Sequence, residues 1–136
     1  MGLFQISGKC GNHLLLGVQR YIQDELYIDG MSGTHFEKLI VKGSVEEIDE
    51  YLSKIPPKET IPEQWCAQIY SRILKKHTVI LVTTYLDHDL VRKANMIPAS
   101  SPDEALQKAY DLVGKDASVV VIPDGVAVLA VKEGQA

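Results

Sequence analysis

The feature that most constrains the fold is a helix signal that runs directly into an apolar, β-branched segment. Thr60 and Pro62 are typical of a helix start, and the apolar residues after them recur at helical spacing, which predicts a helix over residues 62 to 76. Residues 78 to 83 then read TVILVT, which predicts a central strand covered on both faces. The apolar face of the predicted helix comprises Trp65, Cys66, Ile69, Tyr70, Ile73 and Leu74.

Two other helices have well-marked starts. Ser44, with Glu47 three residues later, forms the pattern of a capping box. Ser101 with Glu104 repeats that pattern, and Gly114 is placed to close the helix that follows. These signals predict one helix before the central strand in the chain and another after it.

The remaining elements of the C-terminal half are short. Residues 87 to 94 fit a short helix. Residues 96 to 99 fit a strand that is short or lies at a sheet edge, because Pro98 has no amide hydrogen to donate. Two apolar runs, 118 to 122 and 126 to 131, flank a Pro-Asp-Gly turn and predict a C-terminal β-hairpin.

Together these patterns predict an α/β fold with a largely parallel sheet, helices on both faces and a C-terminal β-hairpin. Glycines interrupt every apolar run in the first 43 residues, which leaves 14 to 18 and 26 to 28 as candidate strands whose place in the sheet is open. At 136 residues and 46% hydrophobic content, we expect residues 1 to 136 to form one domain around one core.

Composition excludes several classes of function. The formal net charge is −4 and the basic residues are scattered, so the sequence lacks the basic stripe that binds nucleic acid. No apolar segment approaches the roughly 20 residues that cross a bilayer, and we expect a soluble, cytoplasmic protein with no membrane partner. Cys10 and Cys66 lack disulfide or zinc spacing, and no two histidines lie four residues apart, so we predict no bound metal.

Residues 29 to 34, with the sequence DGMSGT, form a glycine-rich loop between a predicted strand and a segment compatible with a helix. Backbone amides in such a loop can hold an anion at a helix N-terminus. The candidate anion-binding residues are Gly30, Ser32, Gly33 and Thr34. The loop lacks the lysine of a P-loop, however, and a simple tight turn is the favoured interpretation.

Trp65 is the single tryptophan of the chain and stands near the start of its predicted helix. An indole in that position can belong to the core, to an interface or to the wall of a ligand site. Composition alone favours the core.

Several segments resemble, in order, the C-terminal domain of the nickel-dependent lactate racemase family. Residues 61 to 74 (IPEQWCAQIYSRIL), leading into VILV at 79 to 82, resemble its tryptophan-bearing helix and the strand after it. Residues 97 to 106 (IPASSPDEAL) and 121 to 125 (VIPDG) resemble its closing segments. Residues 27 to 33 (YIDGMSG) are similar to its strand and glycine loop, with tyrosine where cysteine is common. The resemblance covers about residues 25 to 131.

The resemblance implies that this chain is not a complete enzyme alone. In that family a larger N-terminal domain carries the nickel-pincer nucleotide and the catalytic histidines, so this chain would bind no cofactor by itself and would contribute no catalytic residue. The smaller domain contributes a tryptophan beside the substrate, together with a glutamine and a lysine. The resemblance places these roles on Trp65 and, through the segment FQISGK, on Gln5 and Lys9, with a spacing one residue longer than in the family.

The function that the resemblance implies is that of a domain which packs on a separate cofactor domain and orients a 2-hydroxy acid for racemisation or epimerisation, as part of an isomerase. The alternative is a module without a catalytic role, which either binds a small anionic ligand or forms a homo-oligomer. Partners are therefore expected to be the cofactor domain or a second copy.

Overall fold

A computed structural model describes the backbone of residues 2 to 7, 13 to 18 and 35 to 122, and the side chains of residues 35 to 121. Strands and helices alternate through most of this part of the chain, and one short 3-10 turn, Pro57–Glu59, precedes the third helix. The elements are β1 (Gly2–Ser7), β2 (His13–Val18), α1 (His35–Ile40), α2 (Val45–Ser53), α3 (Gln64–Leu74), β3 (His77–Val82), α4 (His88–Lys93), β4 (Ile97–Ala99), α5 (Pro102–Val113) and β5 (Ser118–Ile122).

The described strands form one five-stranded sheet in the order β4-β3-β2-β1-β5. β3 pairs in parallel with both β2 and β4. β1 pairs antiparallel with both β2 and β5, so β5 runs in the same direction as the three parallel strands. Among the described strands only β1 is reversed, which confirms the largely parallel sheet of an α/β fold.

Helices cover both faces of this sheet. The connection from β3 through α4 to β4 moves one way across the sheet, whereas the connection from β4 through α5 to β5 moves back the other way. Because such parallel crossovers are right-handed, the two helices lie on opposite faces. On the α5 face, Ala105 and Ala109 pack against Ile80 and Val82 of β3, and all four are buried.

A second cluster of buried residues joins the first three helices to the end of α4. The small side chains of Ala67 and Ala94 let the helices approach closely, and larger aliphatic side chains fill the remaining space. Each of these large side chains contributes about 1.5–3 kcal/mol by leaving water. The cluster consists of Leu39, Ile40, Ile48, Leu52, Ala67 and Ala94.

The capping signals at Ser44 and Ser101 are confirmed. The Ser44 hydroxyl accepts from the Glu47 amide at 3.3 Å, and the Glu47 carboxylate accepts from the Ser44 amide at 2.7 Å, so the capping box of α2 is confirmed. Ser101 caps α5, and the Gly114 amide closes that helix by donating to the Tyr110 carbonyl at 2.8 Å.

The predicted strands and the short helix are also confirmed where the structure describes them. β3 is shifted by one residue from the predicted run, and β4 is a three-residue strand at the sheet edge, as Pro98 indicated. α4 and β2 lie within or close to the predicted ranges. The predicted runs at 26 to 28 and 126 to 131 lie outside the described residues, so only the first half of the expected C-terminal hairpin, β5, is observed.

One expectation was wrong, and one strand was not predicted. The predicted cap Thr60 does not start α3: its hydroxyl donates to the Pro57 carbonyl, and the helix begins later, at Gln64, after Glu63. The described sheet also contains an antiparallel pair at the N-terminal end of the chain, β1 and β2, and β1 was not predicted because the polar residues Gln5 and Ser7 interrupt its apolar pattern. No helix in the described ranges has the length and apolar character to span a bilayer.

Candidate functional site

Trp65 lies in the first turn of α3 with its indole turned outward. Its side chain is 67% exposed, so the interpretation of Trp65 as a core residue is wrong. An exposed lone tryptophan is unusual because the indole has a large apolar surface that favours burial. This surface is therefore a candidate contact site for another molecule.

The exposure of Trp65 follows from the way α3 packs. The buried side of the helix is formed by Gln64, Ala67 and Ser71, which are small or polar residues. Ile69 and Ile73, which follow Trp65 at intervals of four residues, are 47% and 39% exposed. The predicted apolar face is thus divided: Trp65, Ile69 and Ile73 are exposed, whereas Cys66, Tyr70 and Leu74 are partly buried.

The buried side of α3 is held by specific polar contacts. The Tyr70 hydroxyl donates to the carbonyl of Ala94, and its ring meets Phe36 of α1 edge to face at a centroid distance of 5.6 Å. Burial raises the pKa of Tyr70, because the charged phenolate would lose its hydration. These contacts fix the rotation of the helix and hence the outward direction of Trp65.

Polar contacts with α2 strengthen the same arrangement. Lys75 forms an ion pair with Asp49, and the Ser71 hydroxyl donates to the same carboxylate at 3.5 Å. The hydrogen bond from Lys75 is the main reason that the pKa of Asp49 is lowered. The ion pair is partly solvated, so its role is to set orientation more than to add stability.

A groove of about 310 Å³ opens beside the indole, between the end of α2, the 3-10 turn and the start of α3. Its wall is shaped by Gln64, whose side-chain oxygen accepts from the amide of Ile61 at 3.0 Å. The groove offers apolar surface together with hydroxyl and amide groups, and no charged side chain. It is lined by Leu52, Ser53, Ile55, Pro57, Thr60, Gln64, Trp65 and Gln68.

Glu63 connects this region to the N-terminus of α1. Its carboxylate accepts a hydrogen bond from the backbone amide of Phe36 at 2.8 Å. Its own backbone has a φ of 62°, in the left-handed region that residues with a Cβ rarely adopt. The Phe36 amide is thus engaged by a carboxylate of the chain itself.

The other predicted site residues are only partly described. Gln5 lies in the middle of β1, where it pairs with Leu15 of β2 and Val120 of β5. Lys9, Gly30, Ser32, Gly33 and Thr34 lie outside the described residues, and their roles stay predictions. Within the described ranges, no three histidine, cysteine, aspartate or glutamate side chains are grouped as a metal site would require.

Sequence reasoning did not identify Glu63 or the exposed position of Ile69 and Ile73. The positive φ of Glu63 has no signature in the residue type. The direction of α3 could have been inferred from Ala67 and Ser71, since small residues four apart mark the side on which helices approach closely.

The fold and the outward indole define an α/β domain with an exposed aromatic side chain that its own core does not cover. A family model described as the lactate racemase C-terminal domain matches residues 22 to 130. The chain therefore belongs to the lactate racemase C-terminal domain family.

Similar proteins agree with this assignment. The lactate racemase of Lactiplantibacillus plantarum is 41% identical over 104 residues, which is 74% of this chain and 24% of that protein. The lactate racemase of Thermoanaerobacterium thermosaccharolyticum is 46% identical over 71 residues, 52% of this chain and 17% of that protein. The solved structure of the lactate racemase apoprotein from the latter organism matches with a TM-score of 0.70 and 35% identity, over 76% of this chain and 25% of that one. The chain thus spans about a quarter or less of the length of these relatives.

Proposed function

We propose that this domain has no catalytic activity alone and works with a cofactor-bearing domain of the lactate racemase type. On that domain it orients a 2-hydroxy acid for racemisation or epimerisation. The observation that carries the proposal is the outward indole of Trp65, which is 67% exposed on a helix whose buried side is already filled by other residues. Family membership and the length of the relatives support a second domain as the partner.

Inverting a carbon that bears a hydroxyl and a carboxylate by hydride transfer needs an acceptor for the hydride and a positioned base that takes the hydroxyl proton, and both are returned when the hydroxy acid forms again. In this family a nickel-pincer nucleotide on the larger domain supplies the acceptor when bound. The residues of this chain supply the surroundings of the bound substrate. The Trp65 indole provides a flat apolar wall that excludes water and limits rotation of the substrate.

Gln5 and Lys9 are proposed to assist Trp65, on the basis of the family resemblance of their segment. An amide can bond the substrate hydroxyl, and an ammonium group can pair with the substrate carboxylate. Both groups would position the substrate without exchanging a proton with the reacting carbon.

The test is reconstitution of racemase activity. This chain is mixed with a cofactor-loaded Lactiplantibacillus plantarum lactate racemase that is truncated before the matched region, and conversion of L-lactate to D-lactate is followed by chiral chromatography. We expect activity only when both components are present. Trp65→Ala should lower it about tenfold or more, equivalent to about 1.4 kcal/mol of transition-state stabilisation. Leu112→Ala, which alters an exposed residue of α5, is the matched control. Full activity of Trp65→Ala, or no activity with the wild-type chain, would reject the proposal.

A further inference from the structure

The outward side of α3 carries a continuous apolar stripe. Trp65, Ile69 and Ile73 are spaced by four residues, so they lie on one face of the helix. They are 67%, 47% and 39% exposed, and they point away from the side that holds Ala67 and Ser71. We call these three residues the α3 stripe. At 1.5 Å of rise per residue, it extends about 12 Å along the helix.

The groove beside Trp65 extends this stripe on one side. Gln68, which follows Trp65 by three residues, lines the groove and lies next to Ile69 along the helix. Leu52, Ile55 and Pro57 supply apolar lining. A convex apolar stripe beside a groove of mixed apolar and polar lining can accept a protruding side chain of a protein partner at the centre of an interface.

Cations border the stripe toward the C-terminus of α3. Arg72 follows Ile69 by three residues within α3. Lys76 lies in the turn just after the helix, where its backbone amide donates to the Ile73 carbonyl at 3.0 Å, and both basic side chains are exposed. The chain as a whole has a formal net charge of −4, so this local basic border contrasts with the average charge. A surface with an apolar centre and a basic border fits a partner with an apolar centre and acidic residues at its edge.

We infer that the α3 stripe and its groove form the docking surface for the N-terminal domain of a lactate racemase-type protein. This inference rests on the proposed function, because it takes Trp65 as the residue that reaches the substrate held by that domain. A partner domain that packs along this helix face at Trp65 also contacts Ile69 and Ile73, because all three residues share that face. The relatives carry about three quarters of their length outside the matched region, which is enough chain to form such a partner domain.

The test measures how two variants of this chain bind the truncated Lactiplantibacillus plantarum lactate racemase. Circular dichroism first shows that each variant is folded. Ile69→Glu with Ile73→Glu places charge in the stripe. Leu112→Glu makes the same kind of change on α5, where the side chain is 53% exposed, and serves as the matched control. Sedimentation equilibrium gives the dissociation constants. The double glutamate variant should weaken binding about tenfold or more, whereas the control should bind like wild type.

The outcomes separate the two proposals. Wild-type binding by the double glutamate variant would overturn the docking surface and leave the proposed function intact, whereas failure of the wild-type chain to bind would remove both. A wild-type dimer that becomes monomeric in the double variant would identify a second copy as the occupant and overturn the inference. Should the glutamate pair unfold the chain, Ile69→Ala with Ile73→Ala tests the same surface, and unchanged binding by that folded variant would also overturn it.

Discussion

The carboxylate of Glu63 and the backbone amide of Phe36 lie 2.8 Å apart and share a hydrogen bond across 27 residues of chain. This bond joins the residue that precedes α3 to the first turn of α1. It therefore places the start of α1 beside the helix turn that presents Trp65. The backbone of Glu63 is strained at this junction, because its φ of 62° lies in the left-handed region.

Glu63 substitutions should separate the hydrogen bond from the backbone strain. Glu63→Ala loses the acceptor and retains the left-handed strain, so the free energy of unfolding should fall by about 1 kcal/mol. Glu63→Gly loses the same acceptor and relieves the strain, so it should be less destabilising than Glu63→Ala. Urea unfolding monitored by circular dichroism measures both. Equal stability of the two variants would show that the strained backbone is not maintained in solution.

The orientation of α3 predicts opposite effects at two neighbouring positions. Trp65→Ala should change the free energy of unfolding by less than about 0.5 kcal/mol, because the indole is 67% exposed. Ala67→Leu should lower it by about 1–3 kcal/mol, because Ala67 is fully buried between helices and the added atoms cannot fit. Chemical denaturation followed by far-ultraviolet circular dichroism compares them. A large loss from Trp65→Ala with a tolerated leucine at 67 would mean that the helix is rotated.

Tyr70 should make stability sensitive to alkaline pH. Burial raises its pKa above the ordinary 10.0, so the folded chain holds the phenol proton more tightly than the unfolded chain. This contribution is fully present below pH 10.0 and is lost as the pH rises toward the folded pKa. Tyr70→Phe should cost about 1 kcal/mol at neutral pH, because the Ala94 carbonyl loses its donor, and should lose less stability than wild type above pH 10. Parallel denaturation curves at pH 7 and pH 11 test this, and an equal loss in both proteins would contradict it.

Glu104 should make stability sensitive to acidic pH, in the opposite direction. The hydrogen bond from Lys108, and then that from the Ser100 amide at 2.8 Å, lower the pKa of Glu104 from 4.5 to about 2. A lowered pKa stabilises the fold above the unfolded pKa, and this contribution is lost as the pH falls from 4.5 to about 2. Glu104→Gln should therefore be less stable than wild type at pH 7 and equal to it near pH 2. Thermal unfolding across that range measures the difference, and a constant gap would show that the carboxylate is not bonded as described.

Sequence patterns predicted the elements that depend on neighbouring residues and missed those that depend on distant ones. Ser44 and Ser101 cap their helices through bonds to amides three residues away, so their signals are legible in the sequence. The reversed strand β1 exists because β2 and β5 pair with it, and no local pattern encodes that pairing. The family resemblance selected Trp65, but its exposure depends on which side of α3 meets α1 and α2.

Fluorine NMR on Trp65 tests the central claim most directly. Because the chain has one tryptophan, growth with 5-fluorotryptophan gives a single ¹⁹F resonance that reports on Trp65 even when an unlabelled partner contains other tryptophans. In the chain alone, the resonance should show the solvent isotope shift of an exposed ring. Adding the truncated Lactiplantibacillus plantarum lactate racemase should move the resonance and remove that isotope shift, because the indole then lies against the partner. A resonance that is already insensitive to solvent in the chain alone, or that is unchanged by the partner, would contradict the claim that Trp65 is presented to a second domain.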